Sequence, residues 1–146
     1  MKPLGLKLSF VLILLLGVTI FQSCDKERDY DDIPYAVVNF RISPNSTIYW
    51  ELNSPGGWVY LIANYPSRGV LVYRLNLEEF MAYERTCPHD PNEPDAIIEV
   101  EHSGITAACP SCGTKYIMLD GTPFEGPGQR RLKQYRTTYD GNTLHI

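Results

Sequence analysis

Residues 107–116 read Ala-Ala-Cys-Pro-Ser-Cys-Gly-Thr-Lys-Tyr, and upstream residues 80–89 read Phe-Met-Ala-Tyr-Glu-Arg-Thr-Cys-Pro-His. The first stretch contains a Cys-x-x-Cys-Gly, the second ends in a Cys-x-His, and 19 residues separate His89 from Cys109. Both lie between runs rich in β-branched and aromatic residues. They are therefore expected on loops that join strands, where side chains can be projected at one another. Thiols and imidazole at such spacings are the ligand types of metal sites.

Working outward, the chain from residue 35 onward shows short apolar runs punctuated by Pro, Gly, Asn and Asp, with no sustained helical period. Strands are expected over residues 35–42, 47–53, 58–63, 70–75, 80–86, 97–101, 114–118, 132–138 and 143–146. Pro55-Gly56-Gly57, Asp120-Gly121 and Asp140-Gly141-Asn142 supply turn chemistry between them. Leu77-Glu78-Glu79-Phe80-Met81 has the composition of a helical turn but leads into the strand before Cys87. The fold class is all-β, and the ten tyrosines read as half-buried packing residues with wet hydroxyls.

The two cysteine loops and their surroundings resemble the Rieske iron-sulfur domain, whose ligand loops read Cys-x-His and Cys-x-x-His. Gly69-Val-Leu-Val-Tyr-Arg is similar to the strand entering the cluster subdomain, and residues 80–89 to the first ligand loop. Cys109-Pro-Ser-Cys-Gly-Thr-Lys-Tyr is similar to the second, and Asp120-Gly121, Gly126-Pro127, Asp140-Gly141 and Leu144-His145-Ile146 follow in family order. The resemblance spans roughly residues 36–146. It implies an antiparallel β-sandwich with a small cluster-binding subdomain and a [2Fe-2S] centre that transfers single electrons. Carried over by position, Cys87 and Cys109 would bind the inner iron, and His89 and Cys112 the outer one. Cys112 stands where the family has its second histidine, so a cluster here would carry extra negative charge and a lowered potential.

Three readings of these residues stay open. One is the cluster with Cys3His ligation. Another is a single Zn or Fe ion on the same four residues, since Cys-Pro-x-Cys-Gly also resembles a zinc or rubredoxin knuckle. The third is a metal-free binding or scaffold module with a Cys109–Cys112 disulfide. Thioredoxin-like thiol chemistry is disfavoured, because it depends on a thiolate at a helix N-terminus and residues 113–118 read as a strand. His102 and His145 alternate with apolar neighbours as ordinary strand residues, and Arg130, Arg131, Lys133 and Arg136 read as a solvated face.

The N-terminal residues set the expected compartment. Lys2 and Lys7 precede an apolar run, and Phe21-Gln22-Ser23-Cys24 resembles a bacterial lipobox with Phe in place of the usual Leu. The expected organisation is a lipoprotein signal peptide over 1–23, a charged tether over 24–34 and a Rieske-like domain over 35–146. Cys24 would be lipidated, anchoring the protein to a membrane of the cell envelope, periplasmic or surface-exposed. Removal of Lys2 and Lys7 leaves 11 basic against 17 acidic residues, a formal charge of −6, which argues against nucleic-acid binding. The leader has no twin arginine and resembles that of the general secretory route, which carries chains unfolded, so any metal is acquired after export. Setting Cys24 aside leaves three cysteines, an odd number that cannot all pair within one molecule. The roughly 112 residues of the domain leave no room for a separate catalytic domain. The expected role is a non-enzymatic electron-transfer or binding module working with an envelope redox protein.

Overall fold

Val70–Arg74 reads VLVYR, and all five residues are buried. A strand with no wet face must lie inside a sheet that is covered on both sides. It does: the computed structural model describes Ile33 and residues 35–146, and this strand, β3, is central in a four-stranded sheet of order β2-β3-β4-β9. The leader and Cys24 lie outside the described residues.

In chain order the strands are β1 Arg41–Ile42, β2 Trp58–Leu61, β3 Val70–Arg74, β4 Phe80–Glu84, β5 Glu99–Val100 and β6 Thr106–Ala108. They continue with β7 Lys115–Ile117, β8 Pro123–Glu125, β9 Gln134–Tyr135, β10 Thr138–Tyr139 and β11 Leu144–His145. Every strand pairing is antiparallel. The period-2 alternation of β3 divides the core. Val70 and Val72 pack with Ile42, Leu52, Phe80 and Leu144 under the sheet β1-β11-β10. Leu71 and Tyr73 pack on the opposite face with Tyr83, Ala107, Tyr116, Met118 and Leu132, beneath the small sheet β5-β6-β7-β8. The expected all-β architecture is thus met, with one cysteine loop joining β4 of the main sheet to β5 of the small sheet and the other closing the β6–β7 hairpin.

Two buried polar side chains fasten these layers. Glu84 accepts hydrogen bonds from the Ser67 and Tyr135 hydroxyls at 2.7 and 2.6 Å, from the Arg68 amide at 3.0 Å, and from Thr86 through both its amide and its hydroxyl. Arg74 donates to Asn45 Oδ1 and to the carbonyls of Leu52, Leu77 and Asn76.

Several expected elements differ. Residues 47–53 do not form a strand: Trp50–Asn53 is a 3-10 helix, because Leu52 turns inward to full burial and its amide bonds Tyr49 O at 2.9 Å. The return of the chain at Gly57 is so close that a Cβ there would stand 1.7 Å from Glu51 O. The run 132–138 divides into β9 and β10, which join different sheets. Strands β6 and β8 were not expected, since the strand-poor residues Ala, Pro and Glu outnumber Thr and Phe in Thr-Ala-Ala and Pro-Phe-Glu, which exist as strands through pairing with β7.

Candidate metal centre

Both cysteine loops are held by backbone geometry. Cys87 follows β4; its amide donates to Ala96 O at 2.9 Å, and Thr86 bridges Ile97. The loop between is pinned through its carbonyls. Arg68 Nη2 donates to Pro91 O at 3.0 Å, Arg68 Nη1 to Glu93 O, and Arg130 Nη2 to Pro88 O. Arginine's rigid fork of donors suits this task.

The second loop closes the β6–β7 hairpin, in which Ala108 pairs with Lys115. Cys109 N donates to Thr114 O at 2.9 Å and Gly113 N to Cys109 O at 2.8 Å. Gly113 takes φ +75°, the left-handed conformation that lets so tight a turn close. Behind this turn runs the Gly126–Gly128 segment. It lies so near that a Cβ on Gly126 would meet Thr114 Cα at 2.6 Å, and one on Gly128 the Thr114 side chain at 2.8 Å.

The result is a cluster of sulfur. The Sγ atoms of Cys87, Cys109 and Cys112 all lie within 4.8 Å of one another, and Cys87 Sγ and Cys112 Sγ are 3.7 Å apart. Cys87 and Cys109 are buried at 0% and 1% exposure, whereas Cys112 is half-buried and forms the outward edge. All three are free thiols; no disulfide joins Cys109 to Cys112. His89 does not join the group: its side chain is 37% exposed, with Nε2 3.9 Å from Asp90 Oδ1. Nor do His102 and His145.

Polar groups around the sulfurs prepare them for charge. Cys112 Sγ donates to Thr114 Oγ1 at 3.1 Å, and the same oxygen accepts from the Gly128 amide at 2.9 Å; if Cys112 ionises, the Thr114 hydroxyl proton can turn to the thiolate. The Tyr116 hydroxyl lies 3.7 Å from Cys87 Sγ. Burial pushes the Cys109 thiol up to about 12, against the opposing pull of the Cys112 amide and with the proximity of Cys87 adding to the rise. Burial would raise Cys112 too, but the hydroxyl and amide of Thr114 outweigh it and hold that thiol below its ordinary value. Cys109 and Cys112 are thus pushed in opposite directions.

Thr114, Tyr116 and Gly128 escaped notice as site residues in the sequence. The available signal was the Thr immediately after Cys-Pro-x-Cys-Gly and the paired glycines at Gly126 and Gly128. The binuclear arrangement implied by the Rieske resemblance places Cys87 and Cys112 on different irons. The 3.7 Å between those sulfurs does not fit that division, because such ligands are separated by the iron–iron vector in addition to their own bonds.

No known protein family matches the sequence, and no curated protein does. Among solved structures, a chain from the complex of reduced oxygenase and oxidized ferredoxin in carbazole 1,9a-dioxygenase is similar. It shares 18% identity at a TM-score of 0.48, over 74% of this chain and 92% of that one.

Proposed function

We propose that this chain is a one-electron carrier of the cell envelope, a Rieske-like metalloprotein tethered to a membrane by acyl chains on Cys24, with its metal on cysteine sulfur. The observation that carries the reading is the convergence of Cys87, Cys109 and Cys112 from two loops onto one point. Iron bound there would supply a reversible one-electron couple. The protein's own contribution is to bury two sulfurs, keep Cys112 at the surface edge where a partner can approach, and fix all three on a rigid hairpin and an arginine-pinned loop. One electron enters from a reduced envelope protein and leaves to an oxidised one; no bond is made or broken in any substrate.

The test is metal analysis and potentiometry on full-length protein extracted anaerobically from its host's membranes. Bound iron with a reversible one-electron wave is the expected result. Metal-free or redox-inert protein overturns the carrier reading. Separately, Cys24→Ser is expected to shift the protein from the membrane to the soluble fraction and abolish acyl labelling; unchanged partitioning removes the tether.

A further inference from the structure

The sulfurs that the Rieske pattern would divide between two irons are the pair whose separation is 3.7 Å, and Cys109 Sγ completes a group no wider than 4.8 Å. Two ligands of one tetrahedral ion, at a metal–sulfur bond of about 2.3 Å, stand about 3.8 Å apart. The Cys87–Cys112 separation therefore matches one edge of a mononuclear tetrahedron. It leaves no space between the two sulfurs for a second metal and bridging sulfides. The remaining member of a two-plus-two set, His89, stays outside the group on a partly exposed side chain.

We propose that Cys87, Cys109 and Cys112 hold one thiolate-preferring divalent ion, iron or zinc, in place of a binuclear cluster, with water at the fourth, outward position. With iron this deepens the carrier reading, and it rests on that reading for the presence of a metal and for export. Three thiolates around a dication leave one excess negative charge. The Thr114 and Tyr116 hydroxyls, 3.1 Å from Cys112 Sγ and 3.7 Å from Cys87 Sγ, can turn their protons to the thiolates and stabilise it. The half-buried position of Cys112 places the open coordination site on the solvent side. A single ion also suits an exported chain, because it can be taken up from free solution after folding, whereas a cluster requires iron and sulfide to be assembled together.

The experiment is a Co2+ titration of the reduced, metal-stripped full-length chain, followed through sulfur-to-cobalt charge transfer and tetrahedral ligand-field bands. It is paired with iron, zinc and acid-labile sulfide analysis of the protein as isolated. Saturation at one cobalt per chain, and one iron or zinc with no labile sulfide, is expected. Cys112→Ser should weaken cobalt binding by more than the roughly 10–100-fold that loss of an outer-shell partner costs, while His89→Ala should stay within about threefold. Two irons with two sulfides per chain would overturn the mononuclear site yet leave the electron carrier intact. One zinc per chain would do the reverse. Loss of binding in His89→Ala equal to that in Cys112→Ser would overturn the three-sulfur set, and absence of any metal binding would overturn both proposals.

Discussion

Thr114 Oγ1 accepts from Cys112 Sγ at 3.1 Å and from the Gly128 amide at 2.9 Å, so one hydroxyl ties the sulfur of one loop to the backbone of another. Thr114→Val keeps the shape and removes the hydroxyl. It is expected to weaken metal binding by about 10-fold or more, within the range for outer-shell partners, with Thr114→Ser restoring most of the affinity. Competition with a chromophoric chelator measures it, and equal affinity in Thr114→Val and the wild type would remove Thr114 from the site.

Gly128 itself is constrained by proximity. A Cβ there would lie 2.8 Å from the Thr114 side chain and 3.2 Å from the Tyr116 hydroxyl. Gly128→Ala therefore pushes on two groups bordering the sulfurs, and overpacking of this kind costs about 1–3 kcal/mol. Chemical denaturation should show that loss, together with weakened metal binding. An alanine variant as stable and as tight-binding as wild type would mean that the loop yields freely.

Glu84 is placed to link stability to pH. Burial would raise its pKa, but hydrogen bonds from Tyr135, Ser67 and the amides of Arg68 and Thr86 outweigh it and hold the carboxyl below its ordinary value of 4.5. Because the folded-state pKa is depressed, this stabilisation is complete above the unfolded-state value and is lost as pH falls through the folded one. Glu84→Gln is expected to cost about 1.5–3 kcal/mol at pH 7, the range for hydrogen bonds to a charged group, and the gap to wild type should close on acidification. Urea midpoints across pH 3–7 measure it; a pH-independent gap would exclude the linkage.

Arg74 is 3% exposed, and its guanidinium spans Asn45 Oδ1 and three backbone carbonyls, those of Leu52, Leu77 and Asn76. Lysine has one ammonium and cannot reach all four. Arg74→Lys should therefore destabilise the protein by about 2 kcal/mol through stranded acceptors, read as a lowered urea midpoint with unchanged metal stoichiometry. A neutral effect would show that water replaces the fork.

The sequence by itself determined the class and the punctuation of the fold. Asp120-Gly121 and Asp140-Gly141 turn the β7–β8 and β10–β11 hairpins as their chemistry requires, and the expected strand over residues 70–75 forms as β3, whose interior place in the sheet came only with the structure. It also placed Cys87, Cys109 and Cys112 on loops, since Cys-Pro and Cys-Gly stand where strand patterns stop. Local composition misled at Trp50–Asn53, where the burial of Leu52 and the close return at Gly57 override a strand-like run. It was silent on β6 and β8, which owe their form to the partner strand β7. Only the tertiary structure decided which of these side chains converge. The β6–β7 register and the arginine-pinned first loop bring Cys112 to Cys87 and leave His89 outside. Spacing along a chain fixes which residues can reach a common point, but the distances at that point depend on non-local pairing that no short motif records.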